Sequence, residues 1–185
     1  MFADDLLLAS ISVTELQKMI DICKSEFDWL DMKVNVKKSL CIRIGRRFNV
    51  NLSNFSIDGN KIPWGAEMRY LGIWIKAATV FKCNFHASKL KFFRSLNGIL
   101  GKVGSSSPPH LTLSLTSTFC NPILLYGLES LNINKYDTNR LSFPFDSVFK
   151  KLFSSFNKDV ITLCQFYLGY LPLKFEIDKK NLAFL

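Results

Sequence analysis

The sequence lacks acidic residues over a long central stretch. From Met68 to Leu128 there is no aspartate or glutamate, whereas seven lysines and arginines stand there. The wider segment 32–128 carries fourteen basic and two acidic residues, a net charge of +12, while residues 1–31 carry two basic and seven acidic ones. Such asymmetry is typical of a surface that binds a polyanion. The alternative is a generally basic surface that only aids solubility.

Long apolar runs are also missing. The longest, Leu6–Ala9 and Ile123–Tyr126, fall far short of the roughly 18 residues that a membrane-spanning helix needs. Asp4 and Asp5 stand where a secretory signal has basic residues. We therefore expect no membrane partner and an intracellular location, nuclear or cytoplasmic, rather than secretion.

The cysteines show no metal-binding pattern. The chain has no Cys-x-x-Cys pair, and neither His86 nor His110 stands at zinc-finger spacing from a cysteine. We interpret all the cysteines as buried free thiols in a reducing compartment. They are Cys23, Cys41, Cys83, Cys120 and Cys164.

One helix is predicted near the start of the chain. Leu6–Ala9 is first an apolar run of strand length. Ser12 and Glu15 then match a capping box, in which the two side chains satisfy backbone N–H groups at a helix start. Apolar residues recur at helical spacing as far as Leu30, which predicts an amphipathic helix over this stretch.

Strands are predicted after this helix. Apolar and polar residues alternate over 34–44, which indicates a half-buried strand. Phe55–Ile57 and Lys61-Ile62 flank Asp58-Gly59, a dipeptide that favours the turn of a hairpin. Met68–Ile75 is predicted to be one further strand.

The rest of the chain is predicted to be helical. A first amphipathic helix places Phe85, Phe92 and Leu96 on one face. The later helices are Leu111–Cys120, Ile123–Leu131, one from Asp137 towards Phe156 that Pro144 kinks or breaks, Asp159–Leu168, and a short helical tail from Leu171. The predicted fold class is therefore α+β, with regions 1–76, 77–131 and 132–185.

Two adjacent carboxylates, Asp4 and Asp5, precede the first apolar run. At the tip of a hairpin, paired carboxylates supply the hard oxygen ligands that Mg²⁺ binds together with substrate phosphates. Two-metal phosphoryl or nucleotidyl transfer needs such an acidic tip. The pattern fits an ordinary acidic turn equally well.

Five blocks resemble, in the same order, blocks of the reverse transcriptases of non-LTR (LINE-type, jockey-like) retrotransposons. Phe2-Ala3-Asp4-Asp5 resembles the Asp-Asp box of that family, and Met32–Ser39 resembles its Asn-x-x-Lys-[Ser/Thr] block. Arg69–Gly72 resembles the Tyr-Leu-Gly primer-grip block, and Phe92–Val103 and Pro122–Glu129 resemble the segments that follow it. The resemblance implies a partial palm of β-hairpins and one helix over 1–76, a basic helical thumb over 77–131, and a helical C-terminal extension.

The resemblance also assigns catalytic roles. In the complete polymerase, Asp4 and Asp5 are expected to bind Mg²⁺, or Mn²⁺, as catalytic carboxylates, and Lys38 is expected to act near the leaving pyrophosphate. A phosphate contact or a merely solvated lysine explains Lys38 equally well.

Binding roles follow in the same way. Tyr70, Leu71 and Gly72 are expected to form the primer grip, the turn that holds the primer end, although an ordinary β-strand also explains these residues. The basic residues near these blocks are expected to bind nucleic acid: Arg43, Arg46, Arg47, Lys89, Lys91, Arg94 and Lys102.

The implied function is that of a fragment of an RNA-directed DNA polymerase, with an RNA template and a DNA primer as partners. In the family, the fingers, the first metal-binding aspartate and the nucleotide-selecting block lie upstream of the Asp-Asp box. We therefore expect no polymerisation by this chain alone. The alternatives are a non-catalytic, basic nucleic-acid-binding remnant and an unrelated helical interaction protein.

Overall fold

The computed structural model describes residues 5–50, 53–104 and 107–184, and these divide after Asn84 into two compact units. Helices and two small antiparallel sheets make up the described chain, so the predicted α+β class is confirmed. The first unit contains helix α1 (Val13–Trp29) and strands β1 (Phe55–Ile57), β2 (Asn60–Ile62), β3 (Glu67–Tyr70), β4 (Ile73–Lys76) and β5 (Lys82–Asn84).

The division falls later than the predicted end of the first region at residue 76. Strand β5 lies beyond that residue, but it pairs antiparallel with β4, with Ile75 opposite Cys83. The β3–β4–β5 sheet and the β1–β2 hairpin therefore belong to one unit. The hairpin over 55–62 is confirmed as predicted, with Asp58 and Gly59 at its turn.

The core of the first unit lies between α1 and the β1–β2 hairpin. Ile20 of α1 and three hairpin residues are buried: Phe55, Ile57 and Ile62. The side-chain amide of Gln17 also joins α1 to β1, since it donates to the carbonyl oxygen of Ser56 (3.0 Å) and accepts from the Ser56 N–H (3.2 Å). Leu8 packs on the edge of this core, although 6–10 forms no strand, in contrast to the prediction for Leu6–Ala9.

Helix α1 starts where predicted, but not through the predicted capping box. Ser12 is the N-cap residue, yet its hydroxyl pairs with that of Thr14 (2.8 Å) instead of capping the backbone. The Glu15 carboxylate accepts from the Ser10 hydroxyl (2.9 Å), and the Ser10 oxygen accepts from the Ser12 N–H (3.2 Å). Ser10 thus relays the contact that a capping box makes directly.

The strand predicted over 34–44 is wrong. Asn35 accepts through its backbone oxygen from the N–H groups of Lys38 and Ser39, both at 3.1 Å, and this closes a tight turn. Local acceptors of this kind compete with strand pairing. Beyond the turn, only isolated parallel bridges form among the described residues, from Cys41 to Trp64 and from Ile44 to Ala78.

The second unit is helical. Its elements are α2 (His86–Val103), α3 (Pro109–Phe119), α4 (Asn121–Leu125), a 3₁₀ turn (Leu128–Ser130), α5 (Lys135–Phe153), α6 (Lys158–Tyr167) and α7 (Leu173–Phe184). The predicted helix over 123–131 is instead the short α4 and the 3₁₀ turn, separated by Gly127 with a positive φ of 71°. The boundary predicted at residue 131 falls inside this unit, because helices from both sides of that residue share one core.

Asparagines cap α5 and α6, ahead of the aspartates at which the two helices were predicted to begin. Asn134 caps α5 by accepting from the N–H of Asp137 (2.8 Å), and Asn157 caps α6 by accepting from the N–H of Asp159 (2.8 Å). The aspartates therefore stand in the first helical turn, where their negative charge is favourable, rather than at the cap position.

Pro144 neither ends nor divides α5, which continues to Phe153. The proline is fully buried, and Leu141, Phe145 and Val148 around it are buried in the same core. Packing on both sides of the proline keeps the helix in place, although Pro144 removes one backbone donor. Tertiary contacts thus override a strong local helix breaker.

All five cysteines are free, as predicted, but among them only Cys120 is fully buried. The units are small, so few side chains are covered from every side. Burial raises the pKa of the Cys41 and Cys120 thiols, and the Ser95 hydroxyl near Cys120 acts in the opposite direction. These thiols are therefore held in their neutral, less reactive form.

Among the described residues, Pro109–Ser130 has the length and apolar character of a membrane-spanning helix, with 22 residues and a mean hydropathy of 1.2. In the structure this stretch is divided into α3, α4 and the 3₁₀ turn. Leu113, Leu124 and Leu128 from it pack in the core of the second unit. Core helices and membrane spans share this composition, so the absence of a membrane partner stays a prediction.

Replacing Pro144 with alanine is expected to stabilise the second unit. The helix is relieved of the missing hydrogen bond and the ring clash, which together cost about 3 kcal/mol, while about 1.5 kcal/mol of buried contact disappears with the ring. Urea denaturation should show a net gain of about 1.5 kcal/mol in the free energy of unfolding. Pro109→Ala is the control, because proline is tolerated at the start of α3. A destabilised Pro144→Ala variant would show that ring packing outweighs the hydrogen bond.

Candidate nucleic-acid interface

Helix α2 presents three of the predicted basic residues on one exposed face. Phe92 and Leu96 are 0% exposed and fix the opposite face in the core. At 100° per residue, Lys91, Arg94 and Lys102 lie within about 80° of one another around the helix axis. All three are exposed, and the helix contains no aspartate or glutamate.

Lys89 does not belong to this exposed face. It is half-buried, and burial is the main reason why its pKa is lowered. The positive charge of Arg140 on α5 lowers the pKa of Lys89 further. Lys89 is therefore less available to a ligand in solution than Lys91 and Arg94 are.

A lysine of α5 also contacts helix α2. Lys151 donates from its Nζ to Oδ1 of Asn97 at 2.7 Å. Asn97 lies one helical turn beyond Arg94, and no residue of α2 carries a negative charge that could neutralise the ammonium group. We call the exposed residues Lys91, Arg94 and Lys102 of α2, with Lys151 beside them, the α2 basic face.

Three of the predicted site residues of the first unit, Lys38, Arg46 and Arg47, occupy turns rather than a strand. Lys38 lies exposed in the turn closed by Asn35, whose Oδ1 also accepts from the Lys38 N–H (3.2 Å). Ser39 donates from its hydroxyl to the Asn35 carbonyl oxygen (3.0 Å). The Asn-x-x-Lys-Ser spacing therefore has a structural reason, since Asn35 and Ser39 hold the turn and Lys38 projects from it.

The three predicted arginines differ in exposure. Arg46 and Arg47 are exposed in a turn that the Phe48 N–H closes on the Gly45 carbonyl oxygen (3.1 Å). Arg43 is half-buried, and one of its guanidinium nitrogens is buried without a hydrogen-bond partner among the described residues. Arg46 and Arg47 are thus better placed than Arg43 to contact a ligand in solution.

Few of these cations are neutralised. Within segment 32–128 the acids are Asp58 and Glu67, and each is already in an ion pair, Asp58 with Lys24 (3.0 Å) and Glu67 with Lys76 (2.9 Å). No ion pair among the described residues involves Arg46, Arg47 or the α2 basic face. Their positive charge is therefore available to a polyanion.

The structure describes one of the two predicted metal ligands. Asp5 is exposed and forms an isolated bridge, while Asp4 lies outside the described residues. In the part of the chain that the structure describes, no three histidine, cysteine, aspartate or glutamate side chains are grouped to hold a metal. The roles of Asp4 and Asp5 in binding Mg²⁺ or Mn²⁺ stay a prediction.

Tyr70, Leu71 and Gly72 lie at the tip of a hairpin, so the single strand predicted over 68–75 is wrong. Tyr70 pairs with Ile73 across the turn. Leu71 and Gly72 form the turn with positive φ angles of 46° and 85°. Two successive positive values are typical of a type I′ turn, which favours asparagine and glycine. Leucine in the left-handed region is strained, by about 1–2 kcal/mol.

Helix α5 also exposes aromatic residues that the sequence analysis missed. Tyr136 and Phe143 are 66% and 59% exposed. Arg140 lies over the ring of Tyr136 and Lys150 over that of Phe143. Positions 136, 140, 143 and 150 are spaced so that they lie along one side of a helix, and this spacing is visible in the sequence. We call Tyr136, Arg140, Phe143 and Lys150 the α5 stripe.

Comparisons with protein families, with curated proteins and with solved structures find no match to this chain.

Leu71→Asn is expected to stabilise the β3–β4 hairpin by about 1 kcal/mol, because asparagine tolerates the left-handed conformation. The change should appear as a higher urea midpoint. The matched control is Asp58→Asn in the β1–β2 hairpin, where φ is 50° and an aspartate already suits the turn. That variant loses an exposed ion pair with Lys24 and should change stability by less than about 1 kcal/mol. An unchanged Leu71→Asn midpoint would argue against backbone strain at this tip.

Proposed function

We propose that this chain binds nucleic acid through the α2 basic face, and that it corresponds to the palm end and thumb of a reverse transcriptase of the non-LTR retrotransposon type. The preferred ligand is a primer–template of RNA and DNA. Alone, the chain holds this ligand without extending the primer.

The observation that carries the proposal is the α2 basic face. Lys91, Arg94 and Lys102 are exposed and have no carboxylate partner among the described residues. The burial of Phe92 and Leu96 prevents α2 from turning this face inward without opening the core. A rigid row of unpaired cations is suited to contact with a phosphate backbone, which fixes position without reading base sequence.

Two turns in the first unit are compatible with the proposed relationship. The Asn35–Ser39 turn leaves the Lys38 side chain exposed, as a phosphate contact requires. The Leu71-Gly72 turn retains a strained leucine at an exposed tip. Local strain that persists at an exposed position is commonly associated with a functional contact.

Catalysis is not part of the proposal for the isolated chain. Asp4 and Asp5 are adjacent in sequence and carry like charges, so they repel each other unless a cation lies between them. Two-metal transfer also requires ligands that clamp both the attacking and the leaving oxygen. The Asp-Asp pair by itself does not provide such a clamp.

Neutralising the α2 basic face is expected to weaken binding to a primer–template. The variant Lys91→Gln/Arg94→Gln/Lys102→Gln removes up to three phosphate contacts. The slope of log affinity against log salt should then become shallower by about 2 to 3 units, since each contact contributes about 0.7–0.9. Fluorescence anisotropy across a salt series measures both affinity and slope.

The control removes the same charge elsewhere in the second unit. Lys174→Gln/Lys179→Gln/Lys180→Gln lies on α7, which also carries Glu176 and Asp178. This control should keep most of the salt slope. Equal losses in the two variants would mean that net charge alone drives binding, and salt-independent or absent binding of the unmodified chain would favour the helical interaction protein.

Primer extension on an RNA template is expected to fail with Mg²⁺ or Mn²⁺. The comparison is between the unmodified chain and Asp4→Ala/Asp5→Ala, which should give the same background. Extension by the unmodified chain that the double variant abolishes would establish catalysis by this chain and would contradict the non-catalytic part of the proposal.

A further inference from the structure

Helix α5 exposes aromatic rings and cations alternately along one side. Tyr136, Arg140, Phe143 and Lys150 follow one another at spacings that keep them on one side of the helix. The rings are 66% and 59% exposed, while Leu141, Phe145 and Phe149 occupy the buried side. Because the buried side is fully used by the core, the exposed rings are not needed to hold α5 in place.

Each exposed ring is paired with a cation. The guanidinium carbon of Arg140 lies 5.5 Å from the ring centroid of Tyr136, and Nζ of Lys150 lies 4.8 Å from that of Phe143. The cation–π attraction favours one orientation of each ring relative to its cation, and the rings nevertheless stay largely exposed. A restrained, accessible ring is a low-entropy platform for a planar ligand.

Charge and shape together indicate the ligand. Flat apolar rings beside fixed cations match a planar aromatic group joined to a phosphate, which is the chemistry of a nucleotide. In a duplex the faces of the bases are covered by their neighbours, whereas unpaired bases can stack on protein side chains. The two rings are also separated by about 10 Å along the helix, which exceeds the roughly 3.4 Å rise between stacked bases of a duplex strand.

Helix α5 keeps a net positive charge, since it carries four lysines and arginines against two acids, Asp137 and Asp146. Asp137 stands in the first turn, where its N–H donates to Asn134. Asp146 is half-buried and accepts from the side-chain amide of Gln165 on α6 (3.2 Å). Lys151 connects α5 to the α2 basic face through Asn97, so one unit carries both surfaces.

We propose that the α5 stripe binds single-stranded nucleic acid by stacking unpaired bases on Tyr136 and Phe143, with Arg140 and Lys150 supporting the rings and balancing phosphate charge. This inference rests on the proposed nucleic-acid binding and deepens it, because it assigns unpaired template to α5 and the phosphate backbone of the primer–template duplex to the α2 basic face.

The test uses the full chain with three probes of one sequence: single-stranded RNA, single-stranded DNA and a fully paired RNA–DNA duplex. Tyr136→Ala/Phe143→Ala should weaken binding of the single strands by at least about tenfold and change duplex binding by less than about twofold, with an unaltered salt slope. Tyr136→Phe should retain single-strand binding because the ring remains. The RNA and DNA arms show which of the two strands the stripe prefers.

The control variant is Phe166→Ala/Tyr167→Ala on α6, two aromatic residues that are also largely exposed. It should bind single strands as the unmodified chain does, and equal urea midpoints will show that all variants fold alike. Loss of duplex and single-strand binding in equal measure, or no loss of either in Tyr136→Ala/Phe143→Ala, would overturn this inference alone. If the unmodified chain binds none of the probes, the proposed function fails as well.

Discussion

The burial of Phe92 and Leu96 is the constraint on which the functional surface depends. These side chains are 0% exposed, and they fix which side of α2 faces the solvent. Since α2 contains no acidic residue and no ion pair among the described residues involves these cations, the exposed side is a row of uncompensated charges. Their mutual repulsion is a cost that a polyanion would remove, and this is why the face suits the ligand that we propose.

The spacing of apolar residues predicts correctly those elements that bury a single face. Helices α1 and α2 and the hairpin around Asp58-Gly59 were foreseen because apolar spacing and turn chemistry agree there. The failures are places where a local interaction overrides the pattern. Asn35 captures backbone donors and replaces a strand by a turn, and Leu71 occupies a left-handed position that its residue type does not signal. Pro144 shows the opposite case, in which tertiary packing overrides a local breaker.

The candidate site was predicted only in part, for the same reasons. The helical period places Lys91, Arg94 and Lys102 on one exposed face, but it does not reveal that the charge of Arg140 on α5 acts on the half-buried Lys89. Arg43 likewise lies between two residues that form long-range bridges, Cys41 and Ile44, and composition encodes neither these bridges nor the burial of one of its guanidinium nitrogens. Long-range packing decides which members of a basic segment remain available.

The most direct test is to map which lysines a bound primer–template protects. Acetylation of the chain at low salt, with and without the duplex, can be quantified residue by residue by mass spectrometry. The account predicts that Lys91 and Lys102 are protected several-fold, whereas Lys174 and Lys179 on α7 react as in the free chain. Equal protection of all four lysines, or protection confined to α7, would contradict the central claim that the α2 basic face holds the nucleic acid.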